Sequence, residues 1–248
     1  MKSIIMSILC FTALTAAAQE KPAKKGHWDK NAHWGKMKDY KPMMVKTVGF
    51  SSQQFKNLKG RLGGFPQYKP LRDHMWTIGL GSMHEMKNFI SQMSITAGSS
   101  LTGDPDERSS TMRFLSGGFD IGYDFIPSAR VMVYPLAGLG VENYHAIMWK
   151  DVNAVTFNDV ANSPTTQNNI RSVKFTNTFF TYRLGMGIGF KSPDGNHGIG
   201  VQAGYTGSFK DKAWKSAENQ TLNGAPVDDL KRFSVSLVFT GNMMGMGK

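Results

Sequence analysis

Cysteine is nearly absent from this chain of 248 residues: the single one, Cys10, lies inside the apolar run of residues 4–14. That run follows Met1-Lys2 and ends at Ala16-Ala17-Ala18, before the polarity changes at Gln19-Glu20-Lys21. The pattern predicts a secretory signal peptide over residues 1–18 with an A-x-A cleavage site. Leu9 argues against a lipoprotein signal, because acylated cysteines follow a small residue. Once the leader is removed no thiol remains, which excludes disulfides and cysteine-ligated metals even in an oxidising compartment.

Long hydrophobic runs are also missing. Beyond the leader no stretch approaches the ~18 consecutive apolar residues that a membrane helix needs. The longest nearly apolar segment, residues 129–141, is interrupted by Pro135 and two glycines, and the mean hydropathy is −0.31. Acidic charge is scarce as well, with 18 Asp and Glu against 29 Lys and Arg, a formal net charge of +11. The excess is uneven: residues 19–46 hold eight lysines against Glu20, Asp29 and Asp39, a net +5. A basic tail on a secreted chain points to anionic envelope polymers or lipid head groups, or to no specific partner, and not to nucleic acid.

What the sequence has in plenty is glycine, 27 residues, and aromatics, with 16 Phe, seven Tyr and five Trp. They are arranged with a period of two, the signature of strands with two different faces. Over residues 177–190, Phe180, Tyr182, Leu184, Met186, Ile188 and Phe190 alternate with Thr181, Arg183, Gly185, Gly187 and Gly189. The same alternation places strands near Trp76-Leu80, Phe89-Ala97, Leu115-Phe125, Ile199-Phe209 and Phe233-Phe239, with a longer, less regular one over residues 130–149. In a soluble β protein the face opposite the bulky residues would carry Lys, Glu and Thr. Here it carries glycine and small polar residues, which fits a narrow barrel with its apolar face toward lipid.

The connections alternate in length. Those at residues 87–88, 127–129 and 192–197 are short, whereas those at residues 102–110, 150–172 and 211–229 are long and polar, as expected for periplasmic turns and external loops. With the last strand descending, the seven clear strands require an eighth, ascending one before Trp76. The weak alternation of Leu58 and Leu62 with Lys59, Arg61 and Gly63 places it between about residues 47 and 65. The expected organisation is a signal peptide at 1–18, a basic periplasmic arm at 19–46, a barrel at 47–240 and a Met/Gly-rich tail at 241–248.

The Phe119-Asp120-Ile121-Gly122-Tyr123-Asp124-Phe125 segment, Tyr134-Pro135-Leu136-Ala137-Gly138-Leu139-Gly140, Leu184-Gly185-Met186-Gly187-Ile188-Gly189 and the closing Phe233 to Phe239 together resemble the small outer-membrane β-barrels of Gram-negative bacteria, in the OmpA-like or porin-like class. The resemblance covers about residues 45–240. It implies an all-β, eight-stranded antiparallel up-and-down transmembrane barrel in the outer membrane. It also implies that outer-membrane lipid and the barrel-assembly machinery are partners, the machinery reading the final aromatic strand. Nine residues, Thr240 to Lys248, follow that strand here.

Parity selects Asp120, Asp124, Glu142, Arg183 and Lys210 as lumen charges. Such groups either line a solute path or pair with one another in a plug, with Asp120 and Glu142 neutralising Arg183 and Lys210; the narrow interior favours the plug. No catalytic, cofactor-binding or metal-binding residue is assigned. Ser82 and His84 carry side chains that a lipid-modifying site would use, but they share the outward parity of Trp76 and lack an acid. The His-Trp pairs at 27–28 and 33–34, with Met243, Met244 and Met246, offer metal ligands without a fixed spacing. Trp76, Tyr123, Trp149, Tyr182, Tyr205 and Trp214 suit an interfacial aromatic girdle, and Trp214 could instead stack on carbohydrate. The functional expectation is a non-enzymatic barrel serving envelope structure, surface interaction or limited small-solute passage. A lipid-modifying enzyme and a soluble secreted ligand-binding barrel are the alternatives.

Overall fold

The computed structural model describes residues 41–86, 88–103, 108–126, 128, 130–150, 161, 172–193 and 197–242. Eight long strands dominate: β1 Lys41–Gln53, β2 His74–Met86, β3 Phe89–Ser99, β4 Ser109–Tyr123, β5 Val131–Trp149, β6 Val173–Lys191, β7 His197–Ser208 and β8 Lys231–Asn242. Each pairs antiparallel with its neighbour in sequence, and β1 pairs with β8 from Met43↔Asn242 to Gln53↔Arg232. The sheet therefore closes on itself and leaves no unpaired edge among its long strands.

Alternation decides which way each strand faces. Ile78, Leu80, Ile95, Leu115, Phe119, Phe180, Leu184, Ile188, Val201, Val235 and Leu237 are exposed on the outer wall. Opposite them, Thr77, Gln92, Ser94, Ser116, Asp120, Thr181 and Thr206 are buried inside. The wall is thus apolar outside and polar at its waist within.

Seven of the strands lie where periodicity puts them, and the eighth lies earlier. Strand β1 starts at Lys41, six residues before the expected start of the barrel at 47, and ends at Gln53. Leu58 and Leu62, read as alternating strand residues, instead lie four apart on a short helix, α1 Lys56–Gly63, and are buried together on one side of it. At the other boundary β8 runs to Asn242, two residues past 240. The predicted signal peptide, most of the basic arm and the Met-rich tail lie outside the described residues.

The connections at residues 87–88, 124–130 and 192–196 are short and share one end of the barrel, the turn end, with the first residues of β1 and the last of β8. The strand ends that flank residues 54–73, 100–108, 150–172 and 209–230, the longer connections, share the opposite end, the loop end. Strands β5 and β6, at 19 residues each, are the longest and continue the wall furthest toward the loop end.

Candidate functional site in the lumen

The interior is stacked in three layers. At the turn end Met43, Val45, Met83, Ile90, Met132, Tyr134 and Val238 point inward and form a buried apolar cluster. The Lys191–Glu85 ion pair, at 2.6 Å, lies beyond it at this mouth. Asp124 also belongs to this end. Its Oδ1 accepts from the backbone N–H of Ile126 at 3.1 Å and of Val133 at 3.0 Å, so it fastens the β4–β5 turn and is not a mid-lumen charge.

The waist is polar. Gln202 Nε2 donates to Gln92 Oε1 and to the Tyr134 hydroxyl, both at 3.0 Å, tying the turn-end cluster to the layer above. The Arg183 guanidinium, projected from β6, meets the Asp120 carboxylate of β4 at 2.7 Å and also donates to Ser94 on β3 at 3.2 Å. Asp120 is 2 % exposed. A cavity of about 100 Å³ lies beside this pair, lined by Thr47, Thr77, Thr96, Ser116, Ser234 and Ser236 among others.

The second ion pair sits nearer the loop end, where Arg232 of β8 meets Glu142 of β5, both buried. The Tyr144 hydroxyl donates to the other Glu142 oxygen at 2.9 Å, and the Arg232 guanidinium lies 4.6 Å from the centre of the Phe114 ring. Arg232 was not among the sequence candidates. Its signal was available, since it shares the inward parity of Ser234 and Ser236 on the strand that was read most clearly. Lys210, which parity had placed in the lumen, is exposed and lies two residues past the end of β7. The chain leaves the wall after Ser208, so the alternation of β7 does not reach Lys210. Glu142 therefore pairs with Arg232, not Lys210. Ser51, Gln53 and Thr181 bury side-chain polar atoms without a protein partner, a setting that ordered water commonly satisfies.

The loop end is closed by a larger apolar cluster. Met112, Phe114, Tyr144, Met148 and Phe179 supply it from the wall, Phe55, Leu58 and Leu62 from the α1 segment, and Trp214 and Leu230 from the last long loop. Phe55 is its centre, with ring centroids 5.0 Å from Tyr144, 5.2 Å from Trp214 and 5.9 Å from Phe179. Helix α1 has no acidic residue in its first turn and no side-chain cap from Phe55. The missing acceptor comes from Asp228: its carboxylate accepts the N–H of Asn57 at 2.9 Å, the N–H of Leu58 at 3.0 Å and Trp214 Nε1 at 2.9 Å. Trp214 is fully buried there, so it is neither a girdle residue nor an exposed sugar platform.

The four histidines among the described residues do not converge. His74 and His145 stand toward the loop end on β2 and β5, whereas His84 and His197 stand toward the turn end on β2 and β7. Among the described residues no group of three His, Cys, Asp or Glu is placed to hold a metal ion.

These features define a class: a closed eight-stranded antiparallel β-barrel with an exposed apolar outer wall around a polar waist. Among solved structures, one gives the same fold at low sequence identity. Neisserial surface protein A superimposes with a TM-score of 0.50 at 11 % identity, over 82 % of this chain and 97 % of that chain. Ail, the attachment invasion locus protein of Yersinia pestis, aligns with a TM-score of 0.41 both alone, at 15 % identity, and in complex with the heparin analogue sucrose octasulfate, at 16 %. Each Ail alignment covers 81 % of this chain and 98 % of that one. No protein-family model matches the sequence, and no curated protein does.

Proposed function

We propose that this chain is a non-enzymatic outer-membrane barrel with a closed lumen, serving envelope structure or surface interaction and not solute passage. The turn end and both strand termini face the periplasm, and the four long connections face outward. The observation that carries this reading is the pair of apolar clusters, one built on Met83 and Ile90 and the other on Phe55 and Trp214, that fill the interior above and below the waist. An ion entering the waist would have to cross one of them without its hydration shell, and the waist carboxylates Asp120 and Glu142 already have cationic partners.

The placement of the histidines supports the non-enzymatic reading. A lipid-modifying site near the external edge needs His, Ser and an acid together there, and His84 with Ser82 belongs to the periplasmic half of β2. Outer-membrane lipid, which the exposed wall meets, and the assembly machinery, which would read Phe233 to Phe239, are the partners of this reading. The basic arm remains a proposed contact for anionic envelope polymers.

Membrane fractionation followed by electrophoresis with and without boiling tests the placement. A heat-modifiable band in the outer-membrane fraction is expected, and a chain recovered soluble without detergent would overturn it. A mature amino terminus at Gln19 checks the leader. Planar-bilayer recording tests the closed lumen: no sustained conductance is expected, and a stable open channel would contradict it.

A further inference from the structure

The outward face changes character above the apolar wall, and it does so differently around the circumference. On β6, β7, β8 and the loop after β7, Tyr182, Tyr205, Phe233 and Phe209 pack ring against ring, with centroids 5.0–6.1 Å apart. Lys231 beside them is paired with Asp229 at 2.7 Å. On β1 and β2 Phe50 stacks on His74 and meets Trp76 edge-on. These sectors are aromatic or charge-balanced.

The sector formed by β4, β5 and β6 is neither. Arg113 is the cross-strand partner of His145, His145 that of Thr176, and Ile147 that of Lys174, which puts Lys174 diagonally beside His145. Asn143 donates to the Thr178 hydroxyl at 2.7 Å in the row below. Arg113, His145 and Lys174 are all exposed on the outer side. Beneath them the same parities continue into Leu115, Val141 and Phe180, exposed apolar residues of the wall. No carboxylate faces this group among the described residues, and none of the ion pairs found there uses Arg113 or Lys174.

Arg113 on β4 and Lys174 on β6 flank β5 from its two sides, so an anion lying over His145 would stand between two like charges that have no ion-pair partner among the described residues. The direction they face selects that anion: they point sideways from the wall, immediately above the lipid-facing band, where head groups lie. We infer that Arg113, Lys174 and His145 form a binding site for the phosphate of a lipid head group in the outer leaflet, with Leu115, Val141 and Phe180 receiving its acyl chains. The inference rests on the outer-membrane reading and adds a partner to it. A phosphorylated glycolipid such as lipid A has the chemistry the site requires, with phosphates over a broad apolar base.

The test uses the full-length protein reconstituted in phosphatidylcholine vesicles containing a minor fraction of lipid A, with bound lipid counted by native mass spectrometry after detergent extraction. Retention of lipid A is expected, together with its loss when the lipid is dephosphorylated. Replacing both cations, Arg113→Gln with Lys174→Gln, should weaken retention about thirty-fold. The charge-preserving pair Arg113→Lys with Lys174→Arg should keep it, and Lys210→Gln with Lys212→Gln, on the exposed loop, should leave it unchanged. Equal retention by the Gln pair, or of dephosphorylated lipid, would overturn the site. Displacement by a soluble anionic polysaccharide without any lipid preference would also overturn it, assigning the patch to a polymer. Insertion without preference for lipid A sinks this inference alone, whereas a chain that gives no heat-modifiable band in vesicles sinks the outer-membrane reading and this site with it.

Discussion

Arg232 and Glu142 meet across the barrel from β8 and β5, and each is nearly sealed from solvent, with side-chain exposures of 7 % and 2 %. The pair divides the polar waist from the apolar loop-end cluster, and Tyr144 links the two by donating to the same carboxylate. Removing one partner strands the other charge in a place water reaches poorly. Glu142→Gln or Arg232→Met alone should destabilise the folded barrel by about 3–5 kcal/mol. The double substitution should recover most of that loss. Reversible urea unfolding in lipid vesicles measures all three, and single variants as stable as the parent would show that the pair is dispensable.

Asp228 gives a second, local prediction. Its carboxylate serves two backbone donors at the start of α1 and the indole of Trp214. Asp228→Ala should cost about 3 kcal/mol by removing a helix cap and leaving a buried donor unsatisfied. Amide exchange at Asn57 and Leu58 should accelerate while exchange in β3 and β4 stays slow. Uniform acceleration along the chain would indicate a global effect and not a loosened cap.

Two glycines distinguish the inner from the outer wall. A Cβ at Gly138 would lie 2.1 Å from Asp120 Oδ1 and 2.3 Å from the Phe119 carbonyl oxygen, whereas one at Gly117 would meet no atom within 4 Å. Gly138→Ala should therefore destabilise by about 1–3 kcal/mol and disturb the Asp120–Arg183 pair. Gly117→Ala should be neutral or slightly stabilising. Similar unfolding midpoints for the two variants would contradict the packing described for the waist.

Fluorescence can separate outside from inside directly. Trp76 is 59 % exposed on the outer wall and Trp214 is fully buried in the loop-end cluster. In variants retaining one or the other tryptophan, brominated lipid should quench Trp76 strongly and Trp214 weakly. The reverse order would mean that the wall does not face lipid.

Most of the wall could be read from sequence because β2 to β8 keep one face bulky and the other small over many residues. Strand β1 breaks that rule: Met43 and Val45 face inward to build the turn-end cluster, whereas Val48 and Phe50 face outward. Apolar residues on both parities blur a period of two, so alternation alone places the first strand too late and partly on α1. The waist charges Asp120, Glu142 and Arg183 were legible because they interrupt small-residue runs. The apolar stoppers were not, since Met83, Tyr134, Tyr144 and Phe179 occupy positions where a lumen was expected to hold small or polar groups. Asp228 lies beyond any local pattern, because the helix it caps is about 170 residues away.

The distance along the chain between Asp228 and α1 sets an order of assembly. The helix follows the first strand, and its cap arrives just before the last, on the far side of the β1–β8 seam. Sealing the mouth and zipping the wall thus fall due at the same step. A nascent barrel still gaping along that seam is also lidless, so its waist stays open to water until the final hairpin arrives. Closing the loop-end mouth is thus tied to closing the wall along that seam.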